Sequence, residues 1–231
     1  MDPEFFERLI ADGEIDFILM NRPLSVEPEY LAKQLEVAGV NVVTDQEVDA
    51  SFISEQAPDA VVLAVGAARD TLGLSGGNGT SIVSIDDFLT ADVADDVVVV
   101  GSNAQAIDAV MYLMAQGKHV QVVTPSPASA IGAGHSYWVK TYTQPLIKAL
   151  GTRFWPQAEV LDVNDGSVTV KTDAGTEVEL PCGTLIEALD GLPNTDLAQG
   201  LSMDVYPVGD CANPFNIGEA ICTANAAART I

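Results

Sequence analysis

The segment 97–123 constrains the fold of this chain more than any other. Val97–Val100 is a run of four valines, and such a run is typical of a parallel strand that is buried on both faces. The pattern then predicts a helix over 104–115, which Gly117 ends, and a second buried strand over 120–123. These three elements form a β-α-β unit, so the sequence predicts an α/β fold with a parallel sheet.

The rest of the chain extends this unit on both sides. An amphipathic helix is predicted around 31–38, and apolar runs of strand length follow at 40–43 and 60–65. Between 159 and 180 the valines alternate with polar residues, which predicts an antiparallel meander, and 184–188 is another short strand. The order predicts a doubly wound, Rossmann-like fold that is interrupted by a nucleotide-binding insertion carrying an antiparallel β-meander.

The loop after the first valine strand, G-S-N-A-Q-A, lies where a G-x-G-x-x-G/A dinucleotide fingerprint belongs. Gly101 supplies the first glycine and Ala106 the closing small residue, with Ser102 and Ala104 between them. The middle glycine, which lets a pyrophosphate approach the backbone, is replaced by Asn103. Asparagine tolerates a positive φ, so the turn can form, but its side chain either crowds the phosphates or bonds to them.

The end of the next strand carries no signal for the choice of nucleotide. An acidic residue about 20 positions after the glycines would hold the ribose of NAD, and the residue there is Thr124. No arginine for the 2′-phosphate of NADP occurs over 124–130. Two interpretations therefore remain open: a site for NADH or NADPH, and a β-α-β unit that has kept its fold after losing its ligand.

The C-terminal stretch 205–214 (V-Y-P-V-G-D-C-A-N-P) is followed by an apolar, alanine-rich run. A short strand is predicted to place Gly209 and Asp210 at a turn, and a helix begins just beyond, near Ile217. A carboxylate and free helix N–H groups then face the same small volume. Glycine and aspartate after a strand are also a common turn.

Composition excludes several classes of partner and site. The net charge of −23 repels nucleic acid and anionic membranes. Cys182, Cys211 and Cys222 form no C-x-x-C pair, which argues against an iron–sulfur cluster, a thiol redox pair or a disulfide framework, and two histidines leave no His-rich metal site. With no apolar run of about 20 residues and no secretory signal, we expect a cytoplasmic protein without a membrane segment.

Four pieces of the chain resemble one family. They are 59–66 (D-A-V-V-L-A-V-G), the loop at Gly101, 191–194 (G-L-P-N) and 206–214 with its helix. They resemble the FAD/NAD(P)-binding region of old-yellow-enzyme-type NADH:flavin oxidoreductases, such as 2,4-dienoyl-CoA reductase and trimethylamine dehydrogenase. The resemblance implies that the aspartate bonds the ribityl chain of FAD and that the helix start faces the flavin ring.

The resemblance also implies a division into domains. Residues 1–30 resemble the end of an FMN-binding barrel, with Arg22 at the arginine of its phosphate turn. Residues 31–90 plus 191–231 correspond to a partial FAD-binding domain, and 91–190 to an inserted NAD(P)-binding domain. The first β-α-β unit of the flavin domain and most of the barrel have no counterpart. The resemblance therefore implies a truncated or degenerate member with an incomplete FAD site and no FMN.

Three classes of function follow from these patterns. The first is a flavin- and nicotinamide-dependent oxidoreductase module, which if active is an NAD(P)H-dependent flavin oxidoreductase with no catalytic side chain identified. The second is a non-catalytic nucleotide-binding or regulatory subunit that needs a partner chain or forms a homo-oligomer. The third, a hydrolase or transferase, lacks a G-x-S-x-G motif, and His135 has no evident aspartate partner. The stretch 135–138 (H-S-Y-W) either lines a pocket or is a loop anchored by buried aromatic side chains.

The candidate cofactor-binding residues are Gly66, Gly101, Ser102, Asn103, Ala104, Ala106, Thr124, Gly209, Asp210 and Ile217.

Overall fold

The structure is a computed structural model that describes residues 26–231 of a chain falling into two units, 1–48 and 49–231. In the first unit, the predicted helix is confirmed as α1 (Val26–Val37), and Gly39 follows it with the left-handed φ of +71° that ends helices. The FMN-barrel resemblance, Arg22 included, lies outside the described residues apart from the first turns of α1.

The strand predicted at 40–43 is wrong. These residues pair with no strand in the part of the chain that the structure describes, and Val40, Val42 and Val43 are exposed. An apolar run becomes a strand only where a neighbouring strand accepts its backbone hydrogen bonds. The sequence pattern alone does not reveal whether that neighbour is present.

The second unit contains all the strands that the structure describes. In chain order, its elements are α2 (Ala50–Gln56), β1 (Ala60–Leu63), β2 (Ala67–Arg69), β3 (Ser81–Ser84), β4 (Asp96–Val100), α3 (Ala104–Ala115), β5 (His119–Thr124), α4 (Tyr137–Ala149), β6 (Arg153–Pro156), β7 (Glu159–Val163), β8 (Ser167–Lys171), β9 (Glu177–Pro181), β10 (Thr184–Glu187), β11 (Gly191–Pro193), β12 (Asp204–Pro207) and α5 (Ile217–Ala228).

A five-stranded parallel sheet with the order β3-β10-β4-β5-β6 forms the centre of this unit. The valines of β4 alternate between its two faces. Val97 and Val99 pack with the helices α3 and α4, whereas Val98 and Val100 pack with the meander β7-β8-β9. Burying one such side chain contributes about 1.5 to 3 kcal/mol. The valine run therefore holds both layers, as the predicted α/β fold with its β-α-β unit and antiparallel meander requires.

The remaining strands form two small sheets of two strands each. Strand β1 pairs in parallel with β12, and β2 pairs antiparallel with β11. Helix α5 contacts the turn after β12, where the hydroxyl of Thr223 accepts a 2.8 Å hydrogen bond from the Gly209 N–H. Val62 and Val65 are about half exposed, because a two-stranded sheet leaves much of its apolar surface uncovered.

Helix α4 was not predicted, because aromatic and β-branched residues at its start and Pro145 in its interior disfavour a helix by propensity. Tertiary contacts outweigh propensity here. Ile147 is fully buried in the core, and the Ser136 hydroxyl accepts a capping hydrogen bond from Val139 N–H.

Strand β3 bears on the proposed domain boundaries. The sequence analysis put 81–84 with the flavin-side residues 31–90, whereas β3 pairs with β10 inside the five-stranded sheet. The domain boundaries remain predictions.

Candidate functional site

The loop between β4 and α3, together with the first turn of α3, carries five of the ten candidate residues. Gly101 has a φ of +139°, and a Cβ there would overlap the carbonyl oxygen of Ala188, which follows β10. Gly101 and Ser102 are buried, and Ala106 lies fully inside the core. The packing of the neighbouring strand alone therefore requires glycine at position 101, independently of any ligand.

The side chain of Asn103 ties this loop together. Its Oδ1 accepts a 2.9 Å hydrogen bond from Ala106 N–H and so caps α3. Its Nδ2 donates 3.0 Å hydrogen bonds to the carbonyl oxygen of Ala188 and to Asp190 Oδ1. The amide is thus engaged on both sides, and it occupies the place of the middle glycine of the fingerprint.

Residues 131–134 cover the start of the same loop. The Gly132 N–H donates a 2.6 Å hydrogen bond to the Ser102 carbonyl oxygen, and Ala133 forms a parallel bridge with Asn103. The backbone of 102–103 is therefore bonded to the chain itself. This pairing holds residues 131–134 beside the loop and occupies the Ser102 carbonyl oxygen.

The N-terminus of α3 nevertheless remains open farther along. The backbone N–H groups of Ala104 and Gln105 have no acceptor among the described residues, and both residues line a cleft of about 730 Å³. Unpaired N–H groups at a helix start favour an anion. The chain thus fits a phosphate group at Ala104 and Gln105.

The candidate ribose contact, Thr124, is buried at the end of β5 with 1% of its surface exposed. Its hydroxyl accepts a 3.1 Å hydrogen bond from Ser126 N–H. In this arrangement the hydroxyl serves the turn after β5 and does not face the solvent.

On the flavin side, the turn after β12 places a carboxylate beside a helix start. Gly209 adopts a left-handed φ of +60°, and Asp210 Oδ1 accepts a long, 3.4 Å hydrogen bond from Phe215 N–H. Asn216 caps α5 by accepting from Glu219 N–H at 2.9 Å. The arrangement predicted from the sequence, a carboxylate and a helix N-terminus facing one volume, is present.

A second cleft, of about 480 Å³, opens along this helix start. Most of its walls are small residues or apolar side chains, which leaves room for a flat ring system. Its lining residues are Ala64, Gly66, Gln105, Val208, Gly209, Asp210, Phe215, Asn216, Ile217, Ala220 and Ala224. The residues present therefore fit the flavin end of FAD.

The two clefts share Gln105, Asp210 and Phe215, so they adjoin. Of the ten candidates, the structure brings six to these clefts: Gly66, Asn103, Ala104, Gly209, Asp210 and Ile217. The other four line neither cleft: Gly101, Ser102, Ala106 and Thr124.

Sequence reasoning missed Arg69, the one cation among the described residues that line the larger cleft. Its Nε and Nη2 donate to the two carboxylate oxygens of Asp86 at 2.8 and 2.7 Å, and its Nη1 donates to Gln105 Oε1 at 2.8 Å. The hydrogen bond from Arg69 lowers the pKa of Asp86, and the same bond raises the pKa of Arg69. The sequence signal that could have pointed to Arg69 is its place three positions after Gly66, in a chain with only ten lysines and arginines.

The cleft is electrostatically negative in spite of Arg69. Asp86, Asp190 and Asp210 also line it, so three carboxylates face one guanidinium. This balance opposes a diphosphate near the middle of the cleft and favours a neutral or cationic ring there.

His135 has an acidic partner that the sequence did not reveal. Its Nε2 lies 3.1 Å from Asp108 Oδ1 of helix α3, and its Nδ1 is buried without a hydrogen-bond partner. The alternative of a loop anchored by buried aromatic side chains is wrong, because Tyr137 and Trp138 begin α4 and are 73% and 68% exposed. Neither residue lines a described cleft.

The cysteines lie apart in the structure. Burial raises the pKa of the Cys182 thiol to about 11, so it stays protonated at neutral pH. The Cys211 thiol is buried against the Asn194 carbonyl oxygen at 3.0 Å, and Cys222 is exposed.

Among the described residues, no group of three histidine, cysteine or acidic side chains could hold a metal ion, and no helix is long and apolar enough to span a bilayer.

Known structures share this fold. 2-Naphthoyl-CoA reductase, solved with 2-naphthoyl-CoA, aligns at 23% identity and a TM-score of 0.62, over 83% of this chain and 30% of that one. Histamine dehydrogenase from Rhizobium sp. 4-9 aligns at 17% identity and 0.64, over 83% and 33%. The 6-hydroxypseudooxynicotine amine oxidase from Pseudomonas geniculata N1 aligns at 20% and 0.65, over 86% and 33%. The chain therefore spans about a third of the length of these structures.

No curated protein sequence matches the chain. The pyridine nucleotide-disulphide oxidoreductase family matches residues 55–188, more than half of the chain and most of the unit that holds the site. The resemblance drawn from the sequence and the predicted fold class are thereby confirmed. The chain belongs to the pyridine nucleotide-disulphide oxidoreductase family and has its FAD/NAD(P)-binding, Rossmann-like fold.

Proposed function

We propose that this chain is the dinucleotide-binding module of a flavin-dependent oxidoreductase that transfers electrons between NAD(P)H and flavin. The observation that carries the proposal is that Asp210 and the starts of helices α3 and α5 meet at two adjoining clefts. Bound FAD would supply the redox chemistry, and the protein would supply position and electrostatics. The proposal includes no FMN and no iron–sulfur cluster.

In this proposal the flavin end of FAD lies in the smaller cleft. Asp210 accepts hydrogen bonds from the ribityl hydroxyls, because among the described residues its carboxylate accepts only one hydrogen bond, a long one of 3.4 Å. The N–H groups of Ile217 and Gly218, for which the described residues offer no acceptor, face the electron-rich edge of the ring. Gly66 and Gly209 carry no side chains, so they leave space in this cleft for a flat ring.

The nicotinamide nucleotide enters through the larger cleft. Ala104 and Gln105 N–H groups hold a phosphate, and the three cleft carboxylates favour the ring that becomes cationic on hydride loss. Gly101, Ser102, Ala106 and Thr124 then act by supporting the loop from inside. The nearby pairing of Ser102 with Gly132 restricts the diphosphate, so the nicotinamide nucleotide binds weakly.

The test is reconstitution of the full chain with FAD. Gel-filtered protein is expected to retain a flavin absorption band that NADH or NADPH bleaches under anaerobic conditions. Asp210→Ala should weaken FAD binding at least about tenfold, since a charge-assisted hydrogen bond is worth about 1.5 to 3 kcal/mol. Asp204→Ala is the matched control, because Asp204 is an exposed carboxylate at the other end of β12. Equal FAD affinities of the two variants would contradict the assignment of Asp210.

A second candidate is a nucleotide-binding or regulatory subunit that needs a partner chain. The exposure of Val62 and Val65 favours it, since parallel sheets are normally covered on both faces. Under this alternative the folded chain retains no flavin alone and gains it only with a partner that covers β1 and β12. A folded chain that binds FAD tightly and is bleached by a nicotinamide nucleotide would exclude this alternative.

A further inference from the structure

The side chain of Gln105 lies where the two clefts meet. It belongs to the first turn of α3, is exposed, and lines both clefts, whereas Arg69 and Asp86 line only the larger one. A carboxamide can act in two ways towards a ligand, because its oxygen accepts hydrogen bonds and its nitrogen donates them. What Gln105 offers at this junction therefore depends on which way round its amide is held.

Arg69 holds the Gln105 amide in one orientation. Arg69 Nη1 donates a 2.8 Å hydrogen bond to Gln105 Oε1. A guanidinium group has donors and no acceptor, so the atom of the amide that faces it must be the oxygen. The nitrogen Nε2 is thus turned away from Arg69, and the described residues offer it no acceptor.

Asp86 fixes Arg69 in turn. Its two carboxylate oxygens accept hydrogen bonds from Arg69 Nε and Nη2 at 2.8 and 2.7 Å, which is the bidentate geometry that holds a guanidinium in one plane. Arg69 ends β2, Asp86 follows β3 and Gln105 begins α3, so three elements together set the direction of the amide. A donor that is held in place before the ligand arrives loses less freedom on binding.

The other side-chain amides of the larger cleft do not offer such a donor. The nitrogen of Asn103 is already bonded to a backbone carbonyl oxygen and to Asp190. Asn213 also lines the cleft, but none of the described residues bonds to its side chain, so its amide is held in neither orientation. Gln105 thus presents a donor whose direction the protein itself sets.

We propose that Gln105 Nε2 donates a hydrogen bond to the carboxamide oxygen of the nicotinamide ring, and that Arg69 positions Gln105 for this contact. The inference rests on the proposed function, which assigns the nicotinamide nucleotide to the larger cleft. The Gln105 oxygen is bonded to Arg69, which lines that cleft and not the smaller one, so the amide lies on the nicotinamide side of the junction.

This contact selects both the ring and its position. A neutral carbonyl oxygen finds a donor at the junction, whereas a carboxylate in the same place would be repelled by the three aspartates of the cleft. A ring held by its carbonyl group at the junction also stays beside the smaller cleft, as the transfer of a hydride to flavin requires.

The test is calorimetric binding to the FAD-loaded full chain of three ligands that share one diphosphate. NAD⁺ carries the carboxamide, 3-acetylpyridine adenine dinucleotide keeps the carbonyl oxygen but has a methyl group in place of the nitrogen, and ADP-ribose has no pyridine ring. None of them reduces the flavin, so equilibrium binding is measured. Dividing the dissociation constant of ADP-ribose by that of NAD⁺ gives a ring ratio, in which effects on the diphosphate cancel.

Gln105→Met keeps the length of the side chain and removes its polar atoms. It should lower the ring ratio about fivefold, as the loss of one hydrogen bond between neutral groups predicts. The corresponding ratio for the acetylpyridine analogue should fall by the same factor, because that ligand retains the oxygen. Gln116→Met is the matched control, since Gln116 is an exposed glutamine at the other end of α3 and lines neither cleft. The dissociation constant of FAD should not change in either variant.

Arg69→Met tests the positioning. The loss of its charge affects all three ligands through the diphosphate and cancels in the ring ratio. The ratio itself should fall about twofold, because an amide free to reverse presents its nitrogen in only half of the molecules. In a chain that already carries Gln105→Met, the change at Arg69 should add nothing. Additive losses would overturn the positioning by Arg69.

The remaining outcomes separate this inference from the proposed function. An unchanged ring ratio in Gln105→Met, with NAD⁺ and ADP-ribose still bound, overturns the inference alone. A loss for NAD⁺ without a loss for the acetylpyridine analogue overturns it too, because Gln105 would then accept from the amide nitrogen, and a loss confined to FAD would assign Gln105 to the flavin. If the chain binds neither FAD nor any of the three ligands, the proposed function fails and the inference falls with it.

Discussion

At the scale of single residues, Asn103 decides how the nucleotide loop behaves. It caps α3 through Oδ1, and its Nδ2 reaches across to Ala188 and Asp190. A glycine at this position would leave the turn in place, with φ near −69° in the present structure, and would empty the volume next to the phosphate position. The same side chain therefore stabilises the loop and occupies volume that a glycine would leave empty.

Replacing Asn103 with glycine separates these two effects. Asn103→Gly should lower the free energy of unfolding by about 1 to 2 kcal/mol, because the Ala188 carbonyl loses its amide partner while a glycine cap costs only a few tenths. It should also tighten NADH binding about tenfold, or about 1.4 kcal/mol. Urea unfolding and a fluorescence titration measure the two changes. Asn103→Asp, which keeps the cap but puts a carboxylate beside Asp190, should lose stability without tightening NADH. NADH binding unchanged by glycine would show that the side chain is no obstacle.

Asp86 gives the site a pH dependence. Its pKa is lowered by Arg69, so the pair stabilises the folded state above the ordinary aspartate pKa of about 3.9, and this contribution is lost as the pH falls through the lowered value. Both side chains are more than a third exposed, which limits the contribution to about 1 kcal/mol or less. The stability difference between the original chain and Asp86→Asn should therefore be constant near pH 7 and shrink below about pH 4. Urea titrations at several pH values measure it. A difference that grows on acidification would contradict the pairing.

At the scale of elements, the turn from β4 into α3 requires a glycine at position 101. Gly101→Ala puts a methyl group into the Ala188 carbonyl oxygen at a φ of +139°. A loss of about 3 kcal/mol or more is expected, because the obstacle is backbone and cannot rotate away. Gly117→Ala, with φ +80° and no atom within 4 Å of the added Cβ, should cost only about 1 kcal/mol. Thermal unfolding compares them, and equal losses would show that strain rather than overlap matters at Gly101.

Elements whose sequence shows a clear pattern of buried and exposed side chains were predictable. The valines of β4 read as a strand buried on both faces, and the alternation over 159–180 reads as a meander, because the period of side chains reports burial directly. The position of Asp210 between a strand and a helix was also predicted from the local order of elements, and its role as a flavin contact remains a prediction. These cases need only local sequence and its periodicity.

Features that depend on contacts between distant residues were not predictable. Helix α4 contradicts its own propensities and forms through the burial of Ile147. The partners of Arg69 and His135 lie 17 and 27 positions away in sequence, and no spacing rule links them. The strand expected at 40–43 is absent for a related reason. A strand needs a neighbouring strand to accept its hydrogen bonds, and residues 40–43 do not themselves show whether that neighbour is present.

At the scale of the whole molecule, charge is distributed unevenly. Residues 109–158 contain no aspartate or glutamate and include α4 and most of α3, whereas the acids dominate the rest of the chain. Self-repulsion from the net charge of −23 opposes both compaction and the approach of any anion. Helix starts and Arg69 counteract that field only locally. FAD, with its diphosphate, must therefore bind against a long-range repulsion and with a short-range attraction.

This balance predicts an unusual salt dependence for FAD. The screening length falls from about 10 Å at 0.1 M salt to about 3 Å at 1 M, which removes the distant carboxylates from the balance before it removes contacts made at 3 Å. The dissociation constant of FAD should therefore fall severalfold between 0.1 and 1 M NaCl, opposite to the usual behaviour of an anion at a cationic site. Isothermal titration calorimetry measures it, with riboflavin as the matched ligand, because it lacks the diphosphate and should respond little. If FAD weakened with salt while riboflavin did not, the local attraction at Arg69 and the helix starts would outweigh the field of the whole chain.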